Sequence, residues 1–281
     1  MGGGVLFHSE TVLVRRDELS PHLAIVELTR SDQLNSFTSQ QYEDLSRALD
    51  MVNGEESISV AVLSARGRFY SSGHDLRQQL SSQVKLAGAS EAEQTEFLKS
   101  MIESNAHQLI VAFIRFEKPL IAAVNGPAVG VACTTLQLCD IVYCADIANF
   151  HVPFMQLGFC AEGCSSLLFP MIMGTSKANE LLLMGKKMNA EEAKQCGFVA
   201  DFFPSATFMS EVLQRARQMA AFPPNALRQT KGLSRKVSTQ TLLDTNEREL
   251  SLLLERFRSE ECAQAVMKFV MEQQTRKASK M

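Results

Sequence analysis

The chain has 281 residues, 46% hydrophobic and 21% charged, with 15 Gly and 8 Pro, a composition that excludes collagenous, low-complexity and wholly disordered classes. Twenty-eight basic against 31 acidic side chains leave a net charge of −3, and without a basic surplus nucleic acid is not expected as a partner. This length can bury a sizeable core in one or two domains.

The first residues, Met1-Gly2-Gly3-Gly4-Val5-Leu6, approximate a myristoylation start, but Leu6 stands where Ser or Thr is wanted. No apolar h-region marks a secretory signal. Two short strands are expected within residues 11–28, one on Val12, Leu13 and Val14, the next on Leu23, Ala24, Ile25, Val26 and Leu28. Residues 38–53 read as a helix. Thr38 and Gln41 form a candidate capping box, Leu45, Leu49 and Val52 supply an apolar stripe, and Asn53-Gly54 ends it. Residues 58–63 form an apolar strand. Residues 77–96, rich in Gln, Ser and Glu, read as a mobile surface segment, and 97–116 as one long helix stopped by Pro119. The uncharged run 119–139 is long enough to cross a bilayer. It is broken by Asn125-Gly126-Pro127, Thr134, Thr135 and Gln137, so it reads as a buried strand at 120–124, a turn, and a helix from about Gly130. No membrane span is expected.

A strand follows at 141–143, and alternating strands and helices to about residue 204 predict an α/β fold. Asn189 with Glu192 caps a short helix. Helices at 207–221, 242–257 and 260–273 dominate the last third, with Phe222-Pro223-Pro224 as a boundary. The chain is accordingly divided into a core, residues 1–204, and a helical C-terminal region, residues 205–281.

The seven cysteines, Cys133, Cys139, Cys144, Cys160, Cys164, Cys196 and Cys262, are odd in number and lack CxxC spacing. They read as reduced, buried thiols of an intracellular protein. His151 with Cys160 and Cys164 is a conceivable metal group, but small apolar packing residues account for the cysteines better. No GxxxxGK[ST], GxGxxG, GxSxG or HExxH motif occurs.

Two glycine-containing turns carry the remaining signal, each after an expected strand. One is Arg66-Gly67-Arg68-Phe69-Tyr70-Ser71-Ser72-Gly73-His74-Asp75-Leu76, and the other is Asn125-Gly126-Pro127-Ala128-Val129-Gly130-Val131-Ala132-Cys133. Read alone, they are either ordinary turns or a pair aiming backbone N–H groups at one developing oxyanion. Together with Phe150-His151-Val152-Pro153-Phe154, Gly158 and Glu162-Gly163-Cys164, they strongly resemble the enoyl-CoA hydratase/isomerase (crotonase) superfamily over roughly residues 10–270. The resemblance implies a crotonase-type spiral of ββα units with a helical C-terminal trimerisation region. It implies an acyl-CoA thioester whose carbonyl sits between the backbone N–H groups of His74 and Val131, so the His74 imidazole need not be catalytic. Ser72, Gly73, His74, Asp75, Leu76 and Val131 are expected along the substrate and coenzyme A. Arg30 and Lys231 are weaker candidates for its phosphates. No metal, flavin or nicotinamide is implied, and coenzyme A arrives as part of the substrate.

A hydratase of this family uses two glutamates, and the matching positions here are Thr134 and Phe154, neither able to exchange a proton near neutral pH. Glu162 is the acid in the neighbourhood. Its bland reading is a carboxylate complementing a helix N-terminus. Its setting, Glu162-Gly163-Cys164-Ser165-Ser166 with Gly185-Lys186-Lys187 and Pro223-Pro224-Asn225-Ala226-Leu227, resembles peroxisomal Δ3,Δ2-enoyl-CoA isomerases, which implies a catalytic base. Phe154, Leu157 and Phe159 are expected as apolar neighbours that raise its pKa.

Ser279-Lys280-Met281 approximates the peroxisomal Ser-Lys-Leu address, so a peroxisomal matrix location and recognition by an import receptor are expected. The resemblance further implies a homotrimer or dimer of trimers. The alternative is a non-catalytic crotonase-like module that binds acyl-CoA or protein, of the chromodomain Y-like type.

Overall fold

A computed structural model describes residues 4–76, 90–101, 105–235 and 237–278. The first half comprises β1 (Val5–His8), β2 (Val12–Arg16), β3 (Leu23–Leu28), α1 (Ser39–Gly54), β4 (Val60–Ala65), α2 (Glu91–Met101) and α3 (His107–Arg115). There follow β5 (Leu120–Val124), β6 (Ala128–Val129), α4 (Val131–Thr134), β7 (Ile141–Ala145), β8 (Asn149–His151) and α5 (Phe154–Leu157). Next come α6 (Ser165–Met173), α7 (Thr175–Leu182), β9 (Met188–Asn189), α8 (Ala190–Gln195) and β10 (Asp201–Phe203). The C-terminal helices are α9 (Phe208–Ala220), α10 (Pro224–Ser234), α11 (Thr239–Arg258) and α12 (Glu260–Ala278).

One sheet runs in the order β1-β2-β3-β4-β5-β7-β10, antiparallel over β1–β3 and parallel thereafter. Its central strands are apolar on both faces, as a covered parallel sheet requires. Ala24, Val26, Ala61, Leu63, Leu120 and Ala122 join the larger core, which includes Leu45, Leu49 and Val52 of α1 and Phe113 of α3. The alternate residues Leu23, Val60, Val62, Ile121 and Ala123 face Phe208, Val212, Ala216 and Ala220 of α9. A second, small sheet runs β6-β8-β9. The architecture is the expected mixed α/β fold, with a central sheet and a helical C-terminal region.

Several local expectations are corrected. Thr38 does cap α1, accepting from Gln41 N–H at 3.3 Å, but the Gln41 side chain donates to the Asn35 carbonyl at 3.1 Å, leaving the capping box half-formed. The Asn189–Glu192 capping box is complete. Of the expected long helix at 97–116, residues 97–101 belong to α2 and 107–115 to α3, while 102–104 lie outside the described residues; Asn105-Ala106 form a π turn ahead of α3, a device that re-aims side chains at functional sites. Residues 91–96, read as loop, already belong to α2, whereas 77–89 lie outside the described residues. Pro223-Pro224 is a helix start, with Pro at the first turn of α10 where its missing N–H costs nothing. β1 and the small sheet went unread because their strands are only two to four residues long.

Candidate active site

Short parallel pairing lays the two glycine turns side by side. Ser71 N–H donates to the Pro127 carbonyl (3.2 Å) and Val129 N–H to the Ser71 carbonyl (3.1 Å). A Cβ on Gly73, whose φ is +81°, would sit 2.6 Å from the Val129 carbonyl oxygen, so this close approach requires glycine. Phe37 N–H donates to the Gly73 carbonyl (2.8 Å) and Asp75 N–H to the Phe37 carbonyl (3.0 Å). In such a ladder the intervening His74 N–H faces the other way. Val131 opens α4, where first-turn N–H groups lack intrahelical acceptors. Neither the His74 nor the Val131 N–H has an acceptor among the described residues.

His74 and Val131 line a cavity of about 90 Å³ that also receives Glu162, Tyr42, His107 and Glu249. Its walls are apolar, with Ile110, Phe159, Leu250, Leu253 and Phe257. The Glu162 carboxylate has no hydrogen-bond partner among the described residues. Burial, and then the charge of Glu249, push its pKa up to about 7. The Glu162 carbonyl is held by Ser165, whose N–H donates at 3.1 Å and whose hydroxyl donates at 2.7 Å. Burial lowers the His74 imidazole to about 4, and the Tyr42 hydroxyl lies 3.4 Å from its Nδ1. Tyr42 itself is pushed well up by burial and by the Glu162 charge. Near neutral pH the cavity therefore holds a neutral imidazole, a protonated phenol and a carboxylate balanced between its two forms.

The expected site residues are only partly brought together. Glu162, His74 and Val131 share the cavity. Ser72, Gly73, Asp75 and Leu76 continue along the same strip, fastened to the preceding loop by Ser72 N–H to the Leu34 carbonyl (3.0 Å) and Ser36 Oγ to Asp75 Oδ2 (3.3 Å). Leu76 packs against Leu157, Cys262 and Val266. Of the three apolar neighbours expected for Glu162, only Phe159 lines the cavity. Phe154 and Leu157 are buried outside the cavity, both on the single turn of α5, which packs against α12.

Thr134 is 0% exposed, donates to the Val131 carbonyl at 3.2 Å, and does not reach the cavity wall. Lys231 is not a free cation: its Nζ donates to Asp140 Oδ2 (2.7 Å) and to the Lys118 carbonyl (2.8 Å), away from the cavity. Arg30 is likewise engaged within its own loop, donating to the Ser36 carbonyl at 2.9 Å. Among the described residues no cluster of three or more His, Cys, Asp or Glu is arranged to hold a metal ion, and no helix is long and apolar enough to cross a membrane.

Several polar residues of the cavity went unread in the sequence, Tyr42, His107, Asn246 and Glu249 among them. Glu249 lies in the charged stretch Glu247-Arg248-Glu249, which resembles an ordinary solvated helix face. Its spacing from Leu242 and Leu253, on the buried stripe of α11, is the signal that separates it.

A family model described as enoyl-CoA hydratase/isomerase matches residues 18–278. Enoyl-CoA delta isomerase 2 of Rattus norvegicus is 41% identical over 245 residues, 87% of this chain and 60% of that protein. Enoyl-CoA delta isomerase 3, peroxisomal, of Mus musculus is 38% identical over 245 residues, 87% of this chain and 74% of that protein. The chain thus spans less than two thirds of the rat protein's length. A crystal structure of enoyl-CoA hydratase/isomerase from Pseudoalteromonas atlantica T6c has a TM-score of 0.82 at 28% identity, covering 94% of this chain and 98% of that one.

Proposed function

The chain belongs to the enoyl-CoA hydratase/isomerase family, and within it we propose a Δ3,Δ2-enoyl-CoA isomerase, which moves the double bond of a 3-enoyl-CoA to the trans-2 position in the β-oxidation of unsaturated fatty acids. The observation that carries this proposal is the Glu162 carboxylate, without a hydrogen-bond partner among the described residues and raised to about 7, in one cavity with His74 and Val131.

In the proposed reaction the thioester oxygen accepts hydrogen bonds from the His74 and Val131 N–H groups. Glu162 removes a proton from C2. The electrons of that C–H bond form C1=C2, the carbonyl becomes an enolate oxygen, and the charge is conjugated with C3=C4. The same carboxyl returns the proton to C4, C2=C3 forms, and the carbonyl is restored. One oxyanion donor is worth roughly a hundred- to a thousandfold in rate, and a positioned base about a hundred- to ten-thousandfold. A base titrating near the working pH suits a step in which the same group must both take and give the proton. Hydration fits poorly, since Thr134 and Phe154 are buried and neither carries a carboxyl.

No metal, flavin or nicotinamide enters this scheme, and coenzyme A is part of the acyl-CoA substrate. Ser72, Gly73, Asp75 and Leu76 are proposed to run beside the coenzyme moiety. A homotrimer or dimer of trimers built on the C-terminal helices is proposed, to be tested by sedimentation mass. A peroxisomal location is proposed on the name of the mouse relative, with import-receptor recognition of Ser279-Lys280-Met281. That tripeptide lies outside the described residues, and imaging of a fluorescent fusion with and without it tests the proposal.

The direct test mixes purified protein with trans-3-hexenoyl-CoA and follows the ultraviolet absorbance of the conjugated 2-enoyl thioester. Growth of that band with no other enzyme present supports the isomerase. A flat trace with acyl-CoA bound favours the non-catalytic binding module.

A further inference from the structure

Glu249 stands on α11, 85 residues along the chain from Cys164, yet it is 5% exposed and both of its carboxylate oxygens grip the Glu162 loop. Oε2 accepts the Cys164 N–H at 2.7 Å and Oε1 accepts the Ser166 N–H at 2.9 Å. These are the N-cap amide and a first-turn amide of α6, where a negative charge meets both free donors and the positive end of the helix. The loop needs such a hold. Gly163 and Cys164 both have φ of +63°, and a left-handed residue other than glycine persists only where its surroundings over-determine it. Two further bonds tie the loop to the same helix, from Cys164 Sγ to the Leu242 carbonyl (3.3 Å) and from Cys160 Sγ to the Glu249 carbonyl (3.8 Å).

We infer that Glu249 is a positioning residue: from α11 it clamps the backbone immediately after Glu162 and presents a second charge to the same cavity, so that the aim of Glu162 and the field it feels are both set from the C-terminal helix. The inference rests on Glu162 being the base of the proposed isomerase.

The other titratable groups near Glu162 are Tyr42 on α1, His74 in the first glycine turn, His107 on α3 and Cys160 in the loop itself. Burial raises the Glu249 carboxyl above its ordinary range, opposed by the hydrogen bonds from Ser166 and Cys164 and by the charge of Arg248 beside it on α11, which favour the ionised form. His74 is held neutral until about 4, and Tyr42 and Cys160 are pushed up and stay protonated. Glu249 is the neighbour whose charge raises Glu162.

The test compares wild type, Glu249→Gln and Glu249→Asp by infrared titration of the carboxyl band that Glu162→Gln abolishes, alongside kcat and KM. Glu249→Gln is expected to lower the Glu162 midpoint by about half a pH unit or more, because a like charge has gone. It should cut kcat about tenfold or more with KM changed less than about threefold, because the amides lose an acceptor. Glu249→Asp keeps the charge but shortens the reach, so its midpoint stays near that of wild type while kcat falls to an intermediate value. A folded Glu249→Gln with an unmoved Glu162 midpoint overturns the inference, whatever its kcat. Should Glu249→Gln fail to fold, a Glu249→Asp with wild-type kcat overturns it instead. The titration needs no turnover, so a wild type inactive on 3-enoyl-CoA defeats the isomerase proposal and leaves the effect of Glu249 on Glu162 still measured.

Discussion

Gly163 lies directly against Thr134: a Cβ on Gly163 would come within 2.6 Å of the Thr134 hydroxyl oxygen and 3.1 Å of its Cβ. The contact seats the Glu162 loop on the first turn of α4, beside the Val131 N–H. It also closes position 134 to a longer side chain, so the acid of this site enters from the loop. Gly163→Ala is expected to destabilise the fold by about 1–3 kcal/mol, since alanine meets both the positive φ and the threonine. A loop displaced by even an ångström should lower kcat on the order of a hundredfold. Thermal unfolding and steady-state kinetics on one preparation check both figures.

The pH dependence follows from Glu162. Its pKa is raised to about 7, so the basic form is lost as the pH falls through that value. The acid limb of kcat/KM should have its midpoint near 7, and His74, at about 4, should add nothing to it. For stability the sign is opposite to that of a paired carboxylate. The fold favours the protonated form, a contribution fully present below 4.5 and lost as the pH rises through about 7. Glu162→Gln, which cannot ionise, should therefore be more stable than wild type above pH 7, by at most roughly 3 kcal/mol. Denaturant unfolding of the two proteins at pH 5 and pH 8 reads this difference.

His74 is proposed to act through its main chain. His74→Ala keeps the N–H and loses only the 3.4 Å contact with Tyr42 and some packing. Its kcat should stay within about tenfold of wild type. A loss as deep as that of Glu162→Gln would instead make the imidazole a working group.

Phe159 and Phe257 both line the cavity, their ring centroids 4.8 Å apart and edge to face at 76°. Phe257→Ala enlarges the apolar space there. The ratio of kcat/KM for a twelve-carbon over a six-carbon 3-enoyl-CoA should rise about tenfold, the scale set by a few added methylene contacts. An unchanged ratio would show that the acyl chain leaves by another route.

What could be read in advance depended on how local each signal was. The apolar runs Leu23-Ala24-Ile25-Val26 and Leu120–Val124 each announce a sheet strand in a handful of residues. The half-formed cap of α1 did not announce itself, because Gln41 found the Asn35 carbonyl in a loop whose course is set by tertiary contacts. The catalytic candidate is the sharper case. By its sequence, Glu162 three residues before α6 fits the role of a carboxylate at a helix N-terminus. That role is filled by Glu249, arriving from 85 residues away, which leaves the Glu162 carboxylate free to face the cavity. Only the resemblance of the surrounding motifs singled out Glu162, and no short-range pattern pairs it with Glu249.

The central claim, that one carboxyl carries the proton from C2 to C4, is tested most directly by turnover of trans-3-hexenoyl-CoA by Glu162→Gln beside wild type, with acyl-CoA affinity measured on both. The expected result is a fall in kcat of about a thousandfold or more with affinity within about threefold, since glutamine fills the same space but cannot accept the proton. A correctly folded Glu162→Gln that retains kcat within about tenfold of wild type would contradict the account and remove Glu162 as the base.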